Sequence, residues 1–299
     1  MIDTLELERG HTHMVSILVA ILVAILWAVG EVYMAKDSVS KNRRVIIFYQ
    51  YLGMSILYFG TVLILSPITF STFSWSRFFR FMPSALANII GMVFYTKAIK
   101  SGKLSVVSPV MAAYPIINVF LGFFILKEDV GMISFLAAIC ITVAIVVMSF
   151  LQTKGTSQGK ALNIGLVAAV IYMIIVAFAT YLEKWAYVDG LTLMDCFYYF
   201  GICYLLSAIG VLIYLKLKKI SFHKITKDTV LGIGGTDFGN LLSSVALYGS
   251  SMSVVTPIMA MYTVLTNYLS RSILKEKISF WQSICIAVII LCTLLILIL

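Results

Sequence analysis

The sequence predicts an all-α integral membrane protein, ten transmembrane helices arranged as two inverted five-helix repeats, and three observations lead there. The 299 residues are 61% hydrophobic and only 12% charged, with a mean hydropathy of +1.03, well beyond the composition of a soluble domain. The chain repeats itself at an offset of 148 residues: Ser105-Val106-Val107-Ser108-Pro109-Val110-Met111-Ala112-Ala113-Tyr114 returns as Ser253-Val254-Val255-Thr256-Pro257-Ile258-Met259-Ala260-Met261-Tyr262. Equivalent loops of the two copies also exchange their basic residues, which is the mark of a copy inserted upside down.

Apolar stretches of about 20 residues, enough to cross a bilayer, fall at 14–35, 46–66, 79–98, 104–126, 131–151, 161–182, 194–215, 229–249, 253–274 and 278–298, five in each copy. The connections between them are too short for a soluble domain, so the backbone is best satisfied in a helical bundle rather than a barrel. The chain then divides into a polar segment 1–13, a first repeat 14–151, a linker 152–160 and a second repeat 161–299, together one structural unit. The first stretch is too long for a signal-peptide core and follows an acidic segment, so it reads as a retained helix. The same ungapped offset pairs Tyr33 with Tyr181, Lys36 with Lys184, Tyr51 with Tyr199, Gly53 with Gly201, Gly91 with Gly239 and Ala98 with Ala246. Spacing is therefore kept through each half, as in carriers built from two facing halves.

The net charge of +9 is mostly an orientation signal rather than a binding surface for nucleic acid. Of the 22 Lys and Arg residues, 17 lie in the connections after the first, third, fifth, seventh and ninth segments, and five lie on the other side. Short loops rich in Lys and Arg stay in the cytoplasm. Within the first copy, the loops after its first and third segments carry seven basic residues against three after its second and fourth; in the second copy the counts are one and eight. Taken literally, this distribution puts both termini outside the cytoplasm of a cell membrane.

The five cysteines, Cys140, Cys196, Cys203, Cys285 and Cys292, sit in or at the edge of these segments with no C-x-x-C pair, and they read as small apolar side chains. No cofactor or metal motif is present. A P-loop, a G-x-S-x-G elbow and an H-E-x-x-H helix are all missing from the sequence, which leaves ATP hydrolysis and proteolysis without support.

Ten segments, an inverted repeat, a proline early in the fourth and ninth (Pro109, Pro257) and a Lys-Glu after each (Lys127-Glu128, Lys275-Glu276) together resemble the drug/metabolite transporter superfamily, and its EamA-like branch most closely. The resemblance covers residues 14–299. It implies a secondary transporter for small metabolites or drugs, driven by protons or by exchange, with the pathway between the halves and the fifth and tenth helices at the periphery. Members of the superfamily generally keep both termini in the cytoplasm, whereas the Lys and Arg count here argues the reverse.

Candidate site residues follow from depth and repetition. Pro109 and Pro257 cannot donate to the carbonyls of Ser105 and Ser253, so a helix break is expected there, with the hydroxyls of Ser108 and Thr256, water or a substrate as replacement donors. Met111 with Tyr114, and Met259 with Tyr262, are three apart and share a helical face. Such a face offers either an adaptable cavity wall or a packing seam between the halves. Glu31 in the first segment and Asp237 midway along the eighth are acids placed within the membrane, where a charge costs about 2.5–3.5 kcal/mol and normally faces a cavity or a partner. Each is a candidate for proton coupling or for a substrate charge. Their equivalents are Ala179 and Ile89, so the acids are specific to one copy.

Asn88 and Asn240 offer hydrogen bonds to a substrate or between helices. Trp27 lies on the face of Glu31 four residues away and would form with it half of an aromatic site for an amine or quaternary ammonium. Lys36 and Lys184 read as snorkelling helix ends, and Arg271 with the two Lys-Glu pairs as markers of the membrane boundary. The expected partners are a small-molecule solute, protons or a counter-substrate, and membrane lipid, in a monomer or homodimer. The function expected is transport by alternating access. A lipid or head-group flippase, a membrane enzyme and a non-transporting assembly partner are the alternatives.

Overall fold

A computed structural model describes residues 2–38, 41–71, 73–101, 104–129, 131–153, 160–273 and 280–298, and every regular element among them is helical. The helices are α1 (Ile2–Ser38), α2 (Arg43–Leu65), α3 (Trp75–Ser101), α4 (Leu104–Met111), α5 (Pro115–Phe120), α6 (Met132–Thr153), α7 (Lys160–Val188), α8 (Leu193–Leu217), α9 (Lys227–Gly249), α10 (Met252–Ala260), α11 (Tyr262–Ile273) and α12 (Phe280–Ile298). A single 3₁₀ segment, Pro67–Ser71, precedes α3, and a π-helical turn, Leu121–Ile125, closes α5. Among the described residues, eight spans are long and apolar enough to cross a membrane: His13–Ser38, α2, α3, Leu104–Ile125, Asn163–Val188, α8, α9 and Met252–Ile273. Shorter apolar runs, Phe135–Ile145 and Ser283–Cys292, lie in α6 and α12. Helix α1 begins at Ile2, so residues 2–13 are helical.

Capping fixes several helix starts. The Asn42 side chain accepts from Arg44 N at 3.0 Å to open α2, and Thr192 with Asp195 and Thr226 with Thr229 form capping boxes for α8 and α9, satisfying amides that a helix start leaves without partners. Two spans are interrupted. Residues 112–114 form a turn between α4 and α5, and Met261 separates α10 from α11. The breaks therefore fall a few residues beyond Pro109 and Pro257, which sit inside α4 and α10. In the first case Pro115, whose missing N–H costs nothing at a first helical position, opens α5.

Packing is crosswise between the copies. Helix α1 runs along α9 and α3 along α7, α2 lies against α8, α6 against α12, and α1 also packs on α10 and α11 as α7 does on α4 and α5. Backbones come close where small residues allow it. A Cβ at Gly235 would stand 2.8 Å from Gly30 N and from Leu26 O, and one at Gly232 would stand 2.9 Å from Met34 N. Interhelical hydrogen bonds reinforce the arrangement: Ser84 Oγ donates to Ala179 O at 2.9 Å, Ser55 Oγ to Gly201 O at 3.1 Å, and Gln50 Nε2 to Thr236 Oγ1 at 3.2 Å.

Helix α9 serves as a ruler, being 23 residues long, or about 34 Å at 1.5 Å per residue. Thr226 and Thr229 at its start both donate to the Asp37 carboxylate at the carboxyl end of α1, each at 3.0 Å. Lys184, near the carboxyl end of α7, instead donates to Leu247 O and Ser250 O at the far end of α9, at 2.7 and 2.6 Å. Lys184 is thus buried and holds helix-terminal carbonyls, which differs from the snorkelling expected of it. Lys36 behaves closer to expectation, reaching Asp228 at 2.9 Å from a half-exposed position.

Gly235→Val is expected to lower the thermal unfolding midpoint of the purified protein in detergent, at a cost of about 1–3 kcal/mol from overpacking the α1–α9 crossing. Gly234→Ala, where a Cβ meets nothing within 4 Å, should leave the midpoint unchanged or raise it slightly. Equal loss in both variants would show that the close crossing does not decide the effect.

Candidate functional site

The crosswise packing leaves a cavity between the copies, with about 900 Å³ of non-protein space including the part open to solvent. Helical spacing puts its lining residues on single faces. Asn88, Gly91, Met92 and Tyr95 line it from α3; Tyr172, Val176, Thr180 and Glu183 from α7; and Thr236, Asn240, Ser243, Ser244 and Leu247 from α9. Steps of three and four residues bring such side chains onto one side of a helix. Helix α1 adds Trp27, α2 adds Met54 and Tyr58, and α8 adds Phe200 and Tyr204, while Tyr114 comes from the first break, and Met259 and Tyr262 flank the second. Four lining pairs are related by the 148-residue offset: Asn88 with Thr236, Met92 with Asn240, Tyr95 with Ser243, and Tyr114 with Tyr262.

Of the sequence candidates, Trp27, Asn88, Asn240, Tyr114, Met259 and Tyr262 meet in this cavity. Trp27 Nε1 donates to Asn240 Oδ1 at 2.9 Å, and its ring meets Tyr262 edge-on at 5.7 Å between centroids. Asn88 Nδ2 bonds back to Ser84 O of its own helix at 3.2 Å. The Tyr114 hydroxyl is buried without a hydrogen-bond partner among the described residues.

Glu31, Asp237 and Met111 do not line the cavity; all three are buried in the wall around it. Glu31 Oε2 accepts from Ser108 Oγ at 2.6 Å and from Thr266 Oγ1 at 2.8 Å, joining α1 to α4 and α11, while Oε1 has no partner among the described residues. The Ser108 hydroxyl is therefore committed to Glu31, and that of Thr256 to Met252 O at 2.8 Å. Neither fills the role expected beside the prolines. Asp237 is directed at α2, where Gly53 makes room: a Cβ there would stand 2.6 Å from Asp237 Oδ2. Its Oδ1 is also without a partner among the described residues.

Sequence reasoning missed Glu183. The segment 161–182 ended one residue short of it, whereas α7 continues to Val188 and Glu183 is 5% exposed. The available signal was spacing, since Thr180 and Glu183 continue the Tyr172–Val176 face. Glu183 Oε1 accepts from the Tyr187 hydroxyl at 2.9 Å, and the Ser244 hydroxyl also bonds the carboxylate. The acid that lines the cavity with Trp27 is Glu183, while Glu31, four residues from Trp27, accepts from Ser108 and Thr266.

Glu128 has a structural task beyond marking a boundary. Its carboxylate accepts from Met252 N at 2.6 Å, from Ser253 N at 2.9 Å and from Ser253 Oγ at 2.6 Å, capping the amino terminus of α10 from the other copy. A negative group is favoured there by the helix dipole and by the free amides. The second Lys-Glu, Lys275-Glu276, lies outside the described residues. The cysteines are all free, with Cys196, Cys203 and Cys285 buried. Among the described residues no group of three or more His, Cys, Asp or Glu is placed to hold a metal.

A helical, multi-pass chain with an internal cavity between crossing helices has the architecture of a membrane carrier. The model of the EamA-like transporter family matches residues 14–150, which is the first of the two copies, and the resemblance to the drug/metabolite transporter superfamily holds on that finding. This family consists of membrane transporters, and a membrane transporter of that type is what the match over residues 14–150 suggests. No curated protein sequence matches it. One solved protein crystal structure superposes with a TM-score of 0.70 over 93% of this chain and 94% of its own, at 14% identity. At that identity the likeness concerns the fold.

Glu128→Ala removes all three bonds to the start of α10, and a loss of about 1–2 kcal/mol is expected from the missing cap. Thermal unfolding of the variant in detergent should show it, whereas unchanged unfolding would mean that water replaces the carboxylate at no cost.

Proposed function

We propose that the chain is a ten-span secondary transporter of two inverted five-helix repeats, which moves a small organic solute across the cell membrane by alternating access through the central cavity. The observation that carries this reading is the set of four lining pairs at the repeat offset, because a cavity built from equivalent positions of two copies lies on the axis about which the halves exchange. The inversion is supported by α9: the equivalent helices α1 and α7 bring their carboxyl ends to opposite ends of it. Helices α6 and α12 pack together and supply the ninth and tenth spans at the periphery. The repeats are 14–151 and 161–299.

One end of the pathway is tied shut across the copies. Lys41 Nζ bridges Asp37 at 2.6 Å and Thr226 Oγ1 at 3.0 Å, and Asn42 N donates to His223 Nε2 at 2.8 Å. The basic loops lie at this end, which makes it the cytoplasmic one on the Lys and Arg rule. Alternating access requires that these bonds break and that equivalent contacts form at the other end. Glu31 and Asp237, each with one oxygen unpartnered, are the coupling residues in this reading: a proton taken up by either would change how tightly α1 holds α4 and α11, or how α9 holds α2. Exchange against a counter-substrate would use the same cavity.

The test is saturable uptake of a water-soluble solute into proteoliposomes, with the solute class found by thermal-shift screening of amines, amino acids, sugars and phosphorylated metabolites, since a ligand of the native state raises apparent stability. Glu31→Gln and Asp237→Asn are expected to fold and to change the pH dependence of flux. An unchanged profile in both assigns them to structure alone. Lipid scrambling without solute flux would favour a flippase, and no flux of either kind would favour an assembly partner.

A further inference from the structure

We propose that the central cavity takes a small organic monocation, a protonated or quaternary amine on an apolar body, with the Glu183 carboxylate as its counter-charge and the surrounding aromatic rings as its walls. This rests on the transporter reading above and names its substrate class. Of the 21 residues that line the cavity, eight are aromatic and only one, Glu183, carries a charge. No Lys, Arg or His is among them.

Glu183 is buried but left electrically uncompensated. Its partners Tyr187 and Ser244 are hydroxyls, which satisfy hydrogen bonds without supplying positive charge. The adjacent Lys184 does not compensate it, because its ammonium is held by the carbonyls of Leu247 and Ser250 at 2.7 and 2.6 Å. Among the described residues Glu183 belongs to no ion pair. A buried carboxylate without a cationic partner is costly, and what enters the cavity is free to supply that partner.

The rings around it suit a cation. Tyr58, which lines the cavity with Glu183, stacks on Phe200 at 5.1 Å and on Tyr204 at 6.1 Å, while Tyr95 and Tyr172 pack at 5.4 Å on another part of the wall. Aromatic faces attract ammonium groups, quaternary ones included, and do so most strongly away from water. The unpartnered Tyr114 hydroxyl is an acceptor ready for an N–H donor. An anion would find amide and hydroxyl donors but no cation, and Glu183 and the ring faces would repel it. An amino acid would have its amine accommodated and its carboxylate left without a cationic partner.

The experiment is titration calorimetry on the full-length protein in detergent at pH 7, with 2-phenylethylammonium, its N,N,N-trimethyl derivative, neutral 2-phenylethanol, zwitterionic phenylalanine and anionic 3-phenylpropionate, which share one apolar body. Both cations are expected to bind at least tenfold more tightly than the other three. Glu183→Gln should weaken the cations at least tenfold and change the alcohol by less than twofold. Equal or tighter binding of the alcohol, the zwitterion or the anion overturns the proposal, as does undiminished cation affinity in a folded Glu183→Gln, or no binding by any probe at millimolar concentration. The charge series on the unaltered protein decides the matter even if that variant fails to fold. Flux of the same probes in proteoliposomes separates the two readings: transport of a neutral, zwitterionic or anionic probe in preference to the cations sinks only the charge assignment, whereas tight cation binding without flux of any probe sinks the transporter.

Discussion

The close crossing of α1 and α9 is the constraint on which the rest of the structure depends. Lipid is as apolar as leucine, so helices in a bilayer gain little by burying apolar surface against each other and associate through close contact and polar bonds instead. Gly30, Gly232 and Gly235 let two backbones approach to distances that a side chain would forbid. Everything that makes a site follows from that approach. It brings the Trp27 indole onto Asn240, sets Asp37 against the cap of α9 and turns the next face of α9, with Thr236 and Ser243, into the cavity. The equivalent contact of α3 with α7 carries Asn88 and Tyr95 on one side and Tyr172 and Glu183 on the other.

The interrupted spans add polarity where continuous helices have none. Residues 112–114 and 261 interrupt the regular ladder beside the cavity, and the polar groups nearby are served by chain from the other copy: Glu31 reaches Thr266, and Glu128 caps α10. Such cross-links make each half incomplete alone. A buried carboxylate that bonds across two elements holds them together only while its charge and partners persist, which gives a carrier a natural place to let go.

Three of the buried acids divide the work by their surroundings. Glu31 is held by two hydroxyls within the wall, Asp237 fits into the space left by Gly53, and Glu183 alone stands on the cavity surface. Composition and depth do not separate them. Glu31 and Asp237 stood out in the sequence because they lie within predicted spans, whereas Glu183 falls one residue beyond the segment 161–182. What distinguishes it is rotation about the helix axis, which places it in line with Thr180 and Val176, and the diversion of Lys184 to carbonyls 63 and 66 residues away.

The sequence by itself determined the helical membrane class, the places of eight spans and six of the residues that meet in the cavity, because hydropathy and the three-and-four spacing of faces are local properties of the chain. It also marked the prolines near the breaks, though not the breaks themselves: a proline removes one bond, and where the helix yields is settled by what replaces it, here Pro115 opening a new helix and Glu31 claiming Ser108. Only the tertiary structure decided which acids face the cavity, which lysine is spent on carbonyls, and that Glu128 caps a helix 124 residues away. Those outcomes depend on the rotation and neighbour of each helix, and both are set by packing with the other copy.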